Sequence, residues 1–93
     1  MADVLDDQAV REGLAELDGW QGSTEKIAKT FTFDDFAGSM AFVNRVAAIA
    51  EELDHHPDIR ISWNTVELEI SSHAAGGVTA TCLDLARRIA NSA

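Results

Sequence analysis

Along the chain, apolar residues recur at two spacings, and the switch between them lays out the elements. Val10, Leu14 and Leu17 follow helical spacing behind Asp6-Asp7, which can cap a short first helix. Gly13 weakens that helix, and Asp18-Gly19 is expected to end it. Trp20 to Gly22 reads as a short strand. Lys26 to Phe33 reads as a longer one, with Ile27, Phe31 and Phe33 on one face and Thr30 and Thr32 on the other. Asp34-Asp35 then opens the longest helix, which runs to about Leu53.

That helix carries two apolar stripes. Phe36, Met40, Val43, Ala47 and Ala50 form one, and Phe42, Val46, Ile49 and Leu53 form the other beside it. Together they exceed what one sheet contact requires, so a subunit interface is preferred to complete burial within a monomer.

After the only proline, Pro57, the period changes to two. Ile59, Ile61 and Trp63 alternate with Arg60 and Ser62, and Val66, Leu68 and Ile70 alternate with Glu67, Glu69 and Ser71. Taking Asn64-Thr65 as a two-residue loop pairs Trp63 with Val66, Ile61 with Leu68 and Ile59 with Ile70. Extending that register sets His56 opposite His73, so all three histidines converge. By parity Trp63 joins the core face, with ring stacking in a cavity as the alternative. Gly76-Gly77 makes a turn, Thr79 can cap a last helix, and Val78, Cys82, Leu85 and Ile89 form its apolar stripe. The order α-β-β-α-β-β-α predicts an α+β fold, a four-stranded antiparallel sheet with three helices on one face. Residues 1–93 are treated as one domain, since no repeat, linker or low-complexity stretch interrupts them.

Composition narrows the partners. A formal net charge of −9 with seven Lys and Arg argues against nucleic acid, whose binding rests on clustered cations. No stretch is long enough to span a membrane, and MADVLDDQ has no signal-peptide pattern, so a cytoplasmic location is expected. Cys82, the sole cysteine, excludes an internal disulfide and reads as a core residue rather than a nucleophile.

The histidines carry the candidate chemistry. An imidazole is costly to bury without hydrogen bonds, so adjacent His55-His56 belong in a loop or a site, and the convergence with His73 favours a site. Glu51 lies four residues before His55 and can reach the loop, and Asp54 is adjacent in sequence. Such a cluster suits metal binding or proton transfer. Adjacent histidines on an extended backbone point apart, and no ligand-type spacing accompanies them, so no metal or other cofactor is expected.

Glu51, His55-His56-Pro57, Trp63 and His73, with three, five and nine residues between them and an acidic residue soon after, resemble the signature of the pterin-4a-carbinolamine dehydratases. The resemblance extends to Gly19-Trp20, to AFVNRVAAIAEELDHHPDI and to SSHAAGG, nearly the whole chain. It implies a 4a-hydroxytetrahydrobiopterin dehydratase, a hydro-lyase of tetrahydrobiopterin recycling that gives quinonoid dihydropterin from its pterin substrate. By motif, His55, His56 and His73 would be catalytic and pterin-binding. His55 and His73 would be the acids assisting hydroxide departure, and His56 would hold the pterin. Glu51, Asp54, Pro57 and Trp63 would be the flanking substrate-binding positions. The family also implies a homo-oligomer, dimer or tetramer, and its alternative is a non-enzymatic dimerisation or pterin-binding module. One departure stands out: members often carry an acidic, a basic and an aspartate residue where this chain has Ala80-Thr81-Cys82. Asp84 lies two positions late counted from Gly77, and no role is carried to it.

Overall fold

The computed structural model describes residues 3–92; Met1, Ala2 and Ala93, at the ends of the expected 1–93 domain, lie outside them. The order is α1 (Asp7–Ala15), β1 (Gln21–Gly22), β2 (Ile27–Thr32), α2 (Phe36–Leu53), β3 (Asp58–Ser62), β4 (Thr65–Ile70) and α3 (Ala80–Ser92). The strands form one antiparallel sheet in the order β1-β2-β4-β3. The α+β fold expected from the pattern is the fold observed.

Asp6 caps α1 by accepting the Ala9 amide at 2.8 Å. The helix stops at Ala15, earlier than Asp18-Gly19, and a further turn carries Leu17 into the core. Asp35 caps α2 through the Gly38 amide at 2.7 Å, so the longest helix starts beside the predicted acidic pair and ends at Leu53 as expected. The inner face of the sheet presents Ile27, Phe31, Val66, Leu68 and Ile70, all buried, against Phe42 and Val46 of α2 and Cys82, Leu85 and Ile89 of α3. Full burial of such side chains removes water at about 1.5–3 kcal/mol each, so this layer carries most of the stability. Lys29 shares the inner parity, but its Nζ lies over the Phe31 ring, 4.8 Å from the centroid, and donates to the Asp18 carbonyl at 2.8 Å.

Of the two stripes on α2, the second faces the core, with Phe42 and Val46 buried and Ile49 and Leu53 packed against it, and Ala50 of the first stripe is buried as well. On the first, Phe36 is half exposed and Ala47 exposed, with Met40 and Val43 partly covered.

The β3–β4 register differs from expectation by two residues. Ile61 opposes Val66, Ile59 opposes Leu68, and Ser62 opposes Thr65, so Trp63-Asn64 is the loop and Thr65 belongs to the strand. Alternation fixes which face a residue takes, and a slip of two preserves that face, so the pattern could not separate the registers. Contacts outside the hairpin do. Asn64 exchanges backbone and side-chain hydrogen bonds with Phe33 at the end of β2, at 2.7 and 3.1 Å, and the buried Ser39 hydroxyl donates to the Trp63 carbonyl at 2.8 Å. Trp63 takes the positive φ, +49°, that a tight hairpin loop needs. It is 63% exposed, so its expected place in the core is corrected.

Candidate active site

The end of α2 delivers the first two histidines. Asp54 adopts the left-handed conformation, φ +50° and ψ +45°, which aspartate tolerates better than most residues. Its amide closes onto the last helical turn, and the His55 amide returns to the Ala50 carbonyl at 3.0 Å. The chain thereby leaves the helix sharply, and His55 turns inward while His56 stays exposed. Pro57 then forces an extended approach to β3.

His73 comes from the loop between β4 and α3. The expected register would have delivered it opposite His56. In the observed one, pairing stops at Asp58 and Glu69, and its continuation would set His56 against Ser71. The loop does the delivery instead. Ser72 and Gly77 bridge across it at 2.8 and 3.2 Å, and the Ser72 hydroxyl accepts the Ala75 amide at 3.1 Å. Gly76 needs its positive φ of +87°, and a side chain on Gly77 would meet the Thr24 carbonyl at 2.5 Å. The loop exit is pinned by the Val78 amide on that same carbonyl at 2.8 Å.

His55 is the electrostatic centre of the cluster. Burial lowers its proton affinity from the ordinary histidine value, and the charges of His56 and His73 lower it further. His56 Nε2 lies 2.5 Å from Glu51 Oε2, one α2 turn back, so Glu51 is placed where its spacing predicted. His55 Nε2 lies 3.1 Å from Cys82 Sγ of α3, a contact that the apolar stripe around Cys82 gives no sign of in the sequence. Cys82 is fully buried, as that reading expected. Asp84, given no role, is tied to Arg87 and Arg88 at 3.9 and 3.8 Å.

Trp63 is not gathered in. It sits at the opposite end of β3 from His56, and a strand of that length spans roughly 17 Å, so its side chain and the imidazoles of the same chain occupy separate regions. The expected substrate role for Trp63 therefore finds no support in the cluster. A shallow depression on the outer sheet face, lined by Thr30, Arg60, Ser62, Thr65 and Glu67, likewise contains no histidine. Among the described residues no helix is long and apolar enough to cross a membrane.

Fold and site together define a class: a small α+β protein with two adjacent histidines following its long helix, one of them held by a carboxylate of that helix. The model for the pterin 4 alpha carbinolamine dehydratase family matches residues 3–92. The chain is 45% identical over 93 residues, all of this chain and 98% of the other, to a protein from Thermosynechococcus vestitus named provisionally as a pterin-4-alpha-carbinolamine dehydratase. It is 42% identical over 85 residues, 91% of this chain and 93% of the other, to a Sulfolobus acidocaldarius protein of the same provisional name. Among solved structures, the transcriptional coactivator/pterin dehydratase from Brucella melitensis superposes with a TM-score of 0.90 at 35% identity, over 97% of each chain. A pterin dehydratase-like protein identified as a RuBisCO assembly factor in the alpha-carboxysome gives 0.63 at 26% identity, over 77% of this chain and 83% of the other. The chain belongs to the pterin-4a-carbinolamine dehydratase family.

Proposed function

We propose that this protein dehydrates 4a-hydroxytetrahydropterins, with 4a-hydroxytetrahydrobiopterin as the expected substrate in tetrahydrobiopterin recycling. The observation that carries the reading is a partly buried His55 whose proton affinity is lowered by burial and by the charges of His56 and His73, beside a His56 held by Glu51. In the reaction the C4a–O bond breaks with its electron pair leaving on oxygen, which takes a proton and departs as water. The N5–H proton is given up, and its electron pair forms the C4a–N5 double bond of the quinonoid dihydropterin. One proton is delivered and one removed, which imidazoles near neutral pH can do without redox change.

The lowered proton affinity of His55 suits this exchange. As imidazolium it is a stronger acid than an ordinary histidine, fit to protonate the leaving hydroxyl. His73 is the second donor, exposed at the start of its loop, and His56, oriented by Glu51, holds the polar edge of the pterin. Asp54 and Pro57 shape the backbone that presents them.

The partly exposed stripe of α2, from Phe36 through Met40 and Val43 to Ala47, supports assembly of a homo-oligomer, a dimer or tetramer in which copies cover this face. A cytoplasmic location fits the same reading.

The deciding experiment is stopped-flow dehydration of an enzymatically generated 4a-hydroxytetrahydropterin. Turnover by the wild type that disappears when all three histidines are replaced by alanine is the expected result. Wild-type-like dehydration by that triple variant would sink the assignment. No turnover by the wild type would favour a binding module, the role to which the solved RuBisCO assembly factor lends support.

A further inference from the structure

Cys82 does more than fill the core. Its Sγ lies between two polar atoms, 3.1 Å from Nε2 of His55 and 3.4 Å from Oγ1 of Thr79, with both Thr79 and Cys82 buried. Three elements meet there: the turn after α2, the α3 entry and the first turn of α3. The direction of the chain of hydrogen bonds follows from acceptor strength. Sulfur is a weak acceptor and an unprotonated imidazole nitrogen a good one. A ring N–H aimed at buried sulfur would waste a donor in a place where water cannot replace it. The favourable arrangement has the Thr79 hydroxyl donating to Sγ and the thiol donating to Nε2, each bond polarising the next.

We infer that Cys82 is a positioning residue whose thiol, donating to Nε2 of His55, fixes the neutral imidazole with its proton on Nδ1. The ring therefore presents a defined N–H edge away from α3, while Nε2 is occupied. A thiol supplies this direction without a full negative charge, so it orients the ring without drawing its proton affinity upward as a carboxylate would. The inference rests on the dehydratase reading only for its consequence for rate; the tautomer itself is a property of the ligand-free protein.

Long-range 1H–15N correlation of the histidine rings reads the tautomer without substrate. The wild type should show His55 protonated at Nδ1, with Nε2 shifted to the position of an unprotonated acceptor. Cys82→Ala should return the ring toward the Nε2–H form that free histidine prefers. Cys82→Ser, which keeps a donor hydrogen, should retain the Nδ1–H form, and it guards against an alanine variant that fails to fold. For dehydration, Cys82→Ala should lower kcat about tenfold, the worth of one ordinary hydrogen bond, with KM little changed and the serine variant recovering most of the loss. A loosened core alone would not switch the tautomer or be rescued by serine. An Nε2–H form in the wild type, or the same tautomer in wild type and Cys82→Ala, overturns the inference and leaves the dehydratase reading standing. An Nδ1–H ring that depends on Cys82 in a protein without dehydration supports the positioning role and overturns the dehydratase reading.

Discussion

Replacing Trp63 with asparagine should leave stability within about 1 kcal/mol of the wild type, and the reason is a near-cancellation. A little over a third of the Trp63 surface is covered. A buried tryptophan hides up to about 250 Å², so roughly 90 Å² is at stake here, worth at most about 2 kcal/mol at 25 cal/mol per Å². Against that loss stands the φ of +49°, which asparagine accepts far more readily than a bulky side chain. Left-handed backbone costs an ordinary residue about 1–2 kcal/mol. The Trp63 carbonyl keeps its bond from Ser39 whatever side chain it carries. For a chain of this size about 0.2 kcal/mol corresponds to one degree, so calorimetry should place the melting temperature within about 5 °C of wild type. Had Trp63 been a core residue, truncation would cost about 3–5 kcal/mol and roughly 15–25 °C. A drop of that size would refute the exposed-turn account. Dehydration should be unaffected, because the cluster lies at the other end of β3.

His55→Ala and His73→Ala should each lose about a hundred- to ten-thousand-fold in kcat for dehydration, less if they substitute for one another, while His56→Ala should chiefly raise KM; steady-state kinetics separates the cases. In an NMR pH titration His55 should have its midpoint below the ordinary value of about 6.5, and His73→Gln, which removes one neighbouring charge, should raise it. The linked stability is present above the ordinary value and is lost as pH falls through it toward the lowered one, because only the unfolded chain takes up the proton there. If the His55 imidazolium is the acid, the rate declines as pH rises through the lowered value. Phe42→Ala, emptying a fully buried ring site against Phe31 and Phe33, should cost about 3–5 kcal/mol in urea unfolding. Light scattering at micromolar concentration should find an oligomer, and a stable monomer would contradict the role given to the open stripe of α2.

What the sequence disclosed was whatever local chemistry decides. The Asp35 cap, the bounds of α2, the inner face of β2 and the buried stripe of α3 follow from spacing and capping alone. The hairpin register did not, because its two candidates bury the same face, and Ser39 and Phe33 settle it from distant parts of the chain. The family spacing offered the three histidines and Glu51 as candidates, and the reach of Glu51 to the loop was legible because it sits in the last turn of α2. Cys82 escaped because its partner lies 27 positions away and its own neighbours look purely apolar. Trp63 was misplaced for the opposite reason: its parity was right, but the strand had already ended.

The route by which His73 reaches His55 also orders events in time. The β3–β4 hairpin has a two-residue loop, and such hairpins close in about 1–10 μs, so the segments bearing His55-His56 and His73 meet early. Closure of the Ser72–Gly77 bridge is equally local. Pairing of β2 with β4 joins residues up to 43 positions apart, Ile27 with Ile70, and is the slower step in a fold governed by sequence separation. Docking of α3 brings Cys82 under His55 across 27 positions, a longer separation than the hairpin spans. During refolding the imidazoles should gather before the ring between them is oriented. A rapid-mixing experiment would then show compactness recovered ahead of catalysis, with the lag set by the C-terminal helix.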